Sequence, residues 1–395
     1  MSFPTSSAIA LALASVGLIA LAIEIFCLRI AKGRRFSPPE IWPGVSIVKP
    51  LCGIDDELEI NLKSHLEIDY PGDWEMILGV RNDSDAAYPL ALKFSREHPE
   101  RVKLILQEGE PGHNPKVNQL ITLTQHAAYE LVAVTDSNVR VFPNYLREAA
   151  SVLNQPGTGL AMNLFIGVGE RALGSIFDNL TLASFVAPNV AATSIALRAT
   201  QVVGKSLVLS RELTSALKGW RVVKDVLAED FRLAEVLRER GLGSVICPSF
   251  VFNVQQSQTL GDFWKRHSRW AMIRFRIFFP FCMLEPFLNT TLFAILAIVL
   301  APGSKVTWVL GGLCLALSMA MTQTSAIICR GYGFRPIHLM MSPIKELVFL
   351  AAWLRGATMG SVEWRGNRLQ VLARTRLAEP EAMARVRNLH KRHRA

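Results

Sequence analysis

Hydrophobic side chains are distributed along this chain in long unbroken runs, in short runs and in helical spacing, and each pattern predicts a different element. Residues 8–28 are apolar apart from Glu24 and a few small polar positions. As a helix, such a run crosses a hydrocarbon core of roughly 30 Å. A second block, 277–301, is separated by the short break PGSK from a third, 306–328, so the two predict a membrane hairpin. A weaker stretch, 337–354, carries Pro343, Lys345 and Glu346. Charges at mid-membrane depth are costly, so an interfacial or re-entrant placement is expected there.

Between residues 36 and 275 the runs shorten. Apolar segments at 44–51, 74–82, 102–107, 131–136, 159–168 and 243–248 read as strands. ELEINLKSHLEI, YPLALKFSREHP, VNQLITLTQHA and AEDFRLAEVLRERG lie between them and show the three-to-four residue spacing of amphipathic helices. Strands alternating with helices imply a mostly parallel sheet covered on both faces.

Charge refines this layout. Arg29, Lys32, Arg34 and Arg35 follow the first apolar run instead of preceding it. That favours a retained anchor over a cleaved leader and puts the chain after the anchor on the cytoplasmic side. The expected organisation is an anchor with basic flank (1–35), a cytosolic α/β domain (36–262), an interfacial amphipathic helix (263–276), a membrane hairpin with a re-entrant segment (277–357) and a basic cytosolic tail (358–395). The formal net charge is +10, and the tail ARVRNLHKRHRA suits anionic lipid head groups. No nucleic-acid recognition motif accompanies the charge. The six cysteines form no C-x-x-C pair, so neither zinc nor a disulfide framework is indicated.

In open sheets of this kind, ligands gather at the carboxyl ends of strands where the order of connection switches. The run LVAVTDSN ends there with Asp136 and Asn138, whose oxygens suit a hard cation such as Mg²⁺ or Mn²⁺. Asp-Ser-Asn is also ordinary turn chemistry, as is the cluster Asn82, Asp83 and Asp85 after the second run. Glu229 and Asp230 open an amphipathic helix, a position the helix dipole favours for acids in any protein. Arg266 and Arg269 are three residues apart and so share one helical face. Guanidinium groups there can pair with diphosphate oxygens, although an interfacial helix carrying Arg266, Arg269 and Trp270 against lipid fits the same spacing.

Taken together, VSIVKPLCG, GHNPKVNQL, VTDSNVRV, LAEDF and RHSRW resemble, in order and spacing, the ceramide glucosyltransferase family of membrane-bound enzymes with an R-x-x-R-W or Q-x-x-R-W signature. The related hopanoid-associated glycosyltransferases share the pattern. The resemblance covers about residues 40–280, and VEWRGNRL extends it into the tail. It implies an α/β glycosyltransferase A-type domain with a Rossmann-like, mostly parallel sheet, plus one N-terminal and two to three C-terminal transmembrane helices. It further implies a UDP-sugar donor, Mg²⁺ or Mn²⁺ as cofactor, and a bilayer lipid such as ceramide as acceptor.

Residue by residue, the resemblance puts Lys49 in the opening strand of the nucleotide-binding half and Lys116 near the phosphates. Asn82 stands where the family has its first, nucleotide-contacting aspartate, with Asp83 beside it. Asp136 matches the second, at the metal-diphosphate site, and Asn138 stands where the wider superfamily has a second acid. Asp230 matches the third aspartate, the general base of an inverting displacement, held with Glu229. Arg266 and Arg269 would meet the diphosphate and Trp270 the acceptor mouth. Animal members carry a Ser-His-Pro histidine where this chain has Ala187, so the acceptor contacts of that histidine do not transfer. The implied activity is transfer of a hexose to the primary hydroxyl of ceramide. The alternatives are a hopanoid polyol or other lipid alcohol as acceptor, or an inactive membrane scaffold that binds lipid.

Overall fold

The computed structural model describes residues 4–379 except 200, 217–218 and 365–366. The strands are β1 (Val45–Pro50), β2 (Trp74–Val80), β3 (Val102–Leu106), β4 (Leu131–Thr135), β5 (Val139–Arg140), β6 (Thr158–Met162), β7 (Phe165–Val168), β8 (Ser206–Ser210), β9 (Gly243–Ile246), β10 (Val251–Val254), β11 (Ser361–Trp364), β12 (Asn367–Val371) and β13 (Leu377–Ala378). A seven-stranded sheet has the order β3-β2-β1-β4-β8-β6-β9. Only β8 runs against its neighbours, β4 and β6. β1, β2 and β4 are buried along their whole length. That is why they read as continuous apolar runs instead of alternating ones.

The connection order turns at β1. From it the chain steps outward to β2 and β3, then returns to place β4 on its other side. Asp136 is the residue after β4, at the edge of the sheet where ligands collect in folds of this kind.

Two expectations for the sheet change. The apolar stretch 159–168 is not one strand: β6 lies in the large sheet, while β7 joins β10 and β5 in a separate three-stranded sheet. Asn163 turns the chain between them, its amide donating to the Ser249 carbonyl at 2.9 Å and its side-chain oxygen accepting from Ser206 Oγ at 3.0 Å. Hydrophobicity alone cannot mark such a break, because both pieces are buried. β8, absent from the sequence-based reading, fills the gap between β4 and β6.

Among the described residues two helices, Thr5–Gly33 and Lys305–Arg330, are long and apolar enough to cross a membrane. The block 277–301, expected as a continuous first arm of a hairpin, is broken. A 3₁₀ segment, Phe281–Leu288, meets the helix Thr290–Leu300 at 57°. Pro286 lies inside the first piece, and Asn289 caps the second by accepting from the Leu292 amide at 3.1 Å. Small side chains let this layer pack closely: Ala10 and Ala14 of the N-terminal helix meet Ala297 and Ala294.

The helix Leu260–Ile277 begins with a capping box between Thr259 and Asp262. It packs along the helix Ser342–Thr358. The approach requires Gly356, where a Cβ would lie 2.5 Å from that of Ala271. Beyond it, the first part of the expected tail is folded as the sheet β11-β12-β13. Residues 380–395, with the basic run, lie outside the described residues.

This small sheet buries Val362, Leu369, Val371 and Leu377 against Leu227 and Met272. Its backbone also holds the segment before Glu229, since Leu227 N donates to Thr375 O at 2.9 Å and Leu377 N to Asp225 O at 2.8 Å. Leu377→Ala leaves a hole in that contact and is expected to cost about 2–5 kcal/mol, read as a lowered thermal midpoint of the protein in detergent.

Candidate active site

A cavity of about 310 Å³ lies at the carboxyl end of β4, beside the approach to β8, within the size range of small-molecule sites. Seven of the residues singled out from the sequence line it: Lys116, Asp136, Glu229, Asp230, Arg266, Arg269 and Trp270. Four separate stretches of chain supply them.

Lys116 is placed by local chemistry. Asn114 caps the helix Pro115–Gln125, accepting from the amides of Lys116 and Val117 at 3.0 and 3.1 Å, and Pro115 fits the first turn because it has no amide to satisfy. The Lys116 ammonium then reaches Asp136 Oδ1 at 2.9 Å and Glu229 Oε1 at 3.1 Å. Burial by itself would lower its pKa, but the two carboxylates outweigh that and raise it above the ordinary lysine value. The other Asp136 oxygen lies 3.0 Å from Lys205 Nζ. Burial would raise the Asp136 pKa; the two ammonium groups reverse this and hold it well below the usual carboxylate range.

Asp230 has the opposite environment. Burial and the neighbouring Glu229 charge push its pKa up to about 7, against the lowering pull of Lys116. Its carboxylate rests against Gly204, where a Cβ would come within 2.8 Å of Oδ2. The contact leaves no room for a side chain at 204. Two acids of one cavity thus have their pKa values pushed in opposite directions by their surroundings.

The R-x-x-R-W helix closes the cavity. Arg266 bonds Asp178 Oδ2 at 2.8 Å and also Gln255, and its guanidinium lies 5.9 Å from the Trp270 ring centroid. His267 Nε2 bonds the other Asp178 oxygen at 2.8 Å. Arg269 makes no ion pair among the described residues. Burial and the nearby Arg266 lower its pKa, against the raising pull of Glu229.

The remaining sequence candidates lie apart from the cavity lining. Lys49 is wholly buried in β1, donating to Thr135 Oγ1 at 3.1 Å and to the Asp136 carbonyl at 2.9 Å. Burial lowers its pKa to about 7. Asn138 is buried and its oxygen accepts from Lys205 Nζ at 2.9 Å. Asn82 and Asp83 are exposed on the loop after β2, where the Asn82 side chain accepts from Ser84. Asp85 instead ties that loop to the neighbouring one, accepting from Gly53 N at 2.8 Å.

Sequence reasoning missed Lys205, Gly204 and Asp178. Lys205 and Gly204 immediately precede β8, the unrecognised strand. Asp178 carried a legible signal, a lone acid in the apolar run SIFDNL.

Among the described residues no three His, Cys, Asp or Glu side chains converge to cage a metal ion. A site that takes one protein carboxylate and completes its shell with substrate phosphates needs no cage. Asp136 fits that requirement: it is one-quarter exposed and sits on the cavity wall. The cavity otherwise offers Lys116, Lys205, Arg266 and Arg269, an array suited to a polyanion.

A cation-lined cavity at the carboxyl end of a strand in a mostly parallel sheet, beside a carboxylate whose pKa is pushed up to about 7, suits a transferase that handles an anionic leaving group. Comparison gives the family: residues 9–377 match the model of glycosyl transferase family 21, and the chain belongs to it. Its relatives include ceramide glucosyltransferase 1 of Caenorhabditis elegans, 25% identical over 257 residues covering 64% of this chain and 54% of that one. The ceramide glucosyltransferase of Komagataella phaffii is 34% identical over 123 residues, 30% of this chain and 24% of the relative. The chain thus spans at most about half the length of these two curated relatives. Among solved structures, a mannosyltransferase from Pyrobaculum calidifontis in complex with GDP-Man and Mn²⁺ shares the fold, with TM-score 0.55 and 20% identity over 89% of this chain and 99% of that one.

Asp178 is 1% exposed and satisfies two cationic or imidazole partners at once. Asp178→Ala strands Arg266 and is expected to cost about 3–5 kcal/mol, measured by thermal or urea denaturation in detergent.

Proposed function

We propose that this chain is an inverting transferase moving a hexose from a UDP-sugar to the primary hydroxyl of ceramide or a similar membrane lipid at the cytosolic face. The observation that carries this reading is the single cavity in which Asp230, with its pKa near neutrality, faces Lys116, Lys205, Arg266 and Arg269. The curated relatives supply the lipid and the sugar class by likeness.

In this reading the diphosphate of the donor lies among the lysines and arginines, displacing part of their present pairing with Asp136. The acceptor oxygen attacks the anomeric carbon while the bond from that carbon to UDP breaks. Asp230 takes the hydroxyl proton, and the cationic side chains stabilise the charge that gathers on departing UDP. Mg²⁺ or Mn²⁺, bound by Asp136 together with the diphosphate, would add further charge neutralisation at the leaving group. Glu229, itself paired with Lys116, keeps the Asp230 pKa high enough for a base that works near pH 7. Trp270 offers an apolar plane on the acceptor side. The N-terminal helix and the apolar C-terminal helices keep the cavity beside the bilayer, so a polar donor arrives from water and an apolar acceptor from lipid.

The base assignment has a definite sign. Protonated Asp230 cannot accept the hydroxyl proton, so transfer should rise with pH through about 7 and level off above it. Glu229→Gln removes a charge that raises the Asp230 pKa, and the midpoint of that profile should fall. Asp230→Asn should retain UDP binding by calorimetry and lose transfer by at least a hundredfold, followed by mass spectrometry of the glycosylated lipid. Normal turnover by this variant removes Asp230 from the role. Asp136→Ala should abolish the gain in UDP-sugar affinity on adding Mg²⁺ or Mn²⁺, measured by calorimetry with and without metal. An unchanged gain places the metal elsewhere.

A further inference from the structure

A second cavity, of about 110 Å³, lies where the N-terminal helix, the 3₁₀ segment Phe281–Leu288 and the helices Thr290–Leu300, Lys305–Arg330 and Ser342–Thr358 meet. Apolar helices usually meet through apolar side chains, yet Glu24, Ser184, Asn289, Thr291, Ser318 and Glu346 line this space. Ionisable groups at such depth are costly and mark functional sites. Glu346 is accounted for by the buried ammonium of Lys345, which also donates to Ser184 Oγ at 3.0 Å. Glu24 has no such partner: it faces the Asn189 side chain and makes no ion pair among the described residues.

The two cavities adjoin. Phe185 and Asn189 line both. Arg274 lines the first and Glu285 the second, and the two are ion-paired at 2.8 Å across the partition. Arg274 keeps one buried guanidinium nitrogen, Nη2, without a partner, while its carbon lies 5.2 Å from the Phe185 ring centroid. Phe185 belongs to a π-helical turn, Leu182–Val186, a rare feature frequent at functional sites.

We propose that this second cavity seats the headgroup of the acceptor lipid, an uncharged group bearing amide and hydroxyl donors, whose hydroxyl reaches Asp230 past Phe185 and Asn189. The proposal rests on the reading above that the acceptor is a lipid. The volume has room for a few polar heavy atoms and not for a hydrocarbon chain. The chains then lie outside, where Phe281, Leu284 and Phe287 are more than half exposed. Charge selects the headgroup. Glu24, Glu285 and Glu346 face two cations, Arg274 and Lys345, each already ion-paired to one of these acids, so the space offers acceptors to hydroxyl or amide hydrogens and no unpaired cation to a phosphate-bearing headgroup.

The test combines kinetics with labelling of the full chain in detergent. Glu24→Gln and the cavity-narrowing Ala20→Leu are each expected to raise KM for ceramide about tenfold while the UDP affinity measured by calorimetry stays as in the wild type. A diazirine-bearing ceramide should label peptides spanning 17–24 or 284–292, with excess ceramide but not ceramide phosphate competing. Unchanged ceramide KM in both variants, labelling confined to other peptides, or equal competition by ceramide phosphate overturns the proposal. A wild-type protein that binds UDP but glycosylates no lipid overturns the functional reading instead, and the labelling still decides whether the cavity holds the lipid.

Discussion

The site is organised by the charge balance around Asp136. A carboxylate at the end of a buried parallel strand is tenable only with cations beside it, and the fold supplies two, Lys116 from the helix after β3 and Lys205 from the approach to β8. Each of these then holds a further element: Lys116 reaches Glu229 at the start of the helix carrying Asp230, and Lys205 reaches Asn138. Removing one member of such a network leaves charge without compensation in a poorly hydrated place, which costs more than the net worth of any one pair. The same network would suit the diphosphate of the proposed donor, because its cations are already in position and need exchange only their anionic partner.

A second constraint is the meeting of water-facing and lipid-facing parts. The R-x-x-R-W helix presents Arg266, Arg269 and Trp270 to the cavity and packs along the helix Ser342–Thr358 through Gly356. The C-terminal sheet then holds the backbone of 225–228, the segment that delivers Glu229 and Asp230. Residues more than 130 positions later in sequence therefore fix the placement of the candidate base. This gives Val362 of β11 and Leu369 of β12 a physical role as a brace.

Much of this was legible in the sequence because it follows from local rules. Continuous apolar runs gave β1, β2 and β4, since a strand buried on both faces needs no polar alternation. The apolar spacing of VNQLITLTQHA gave the helix after β3, and Arg-x-x-Arg gave two guanidinium groups on one face. The acids Asp136 and Asp230 were legible as well, each at the edge of a periodic segment where a side chain meets a cavity or solvent. What escaped depends on which segments become neighbours. β8 was not recognised, and with it went Lys205, because a five-residue apolar run between loops has no periodicity that separates it from a helix fragment. The run 159–168 hid a change of sheet at Asn163, and 277–301 hid a bend, although Pro286 and Asn289 marked where it falls.

The sequence by itself determined the element types, the family motifs, the apolar segments and the kinds of chemistry available, because propensity, burial pattern and residue chemistry are local properties. Tertiary structure alone decided which charges pair. It turned Asp136 toward two lysines, one of them shared with Asn138, left Asn82 and Asp83 on an exposed loop, and set Asp230 beside Glu229 and Gly204 so that its pKa rises to about 7. Electrostatic energy depends on distance and on exclusion of water, and both are set only when distant segments are packed together.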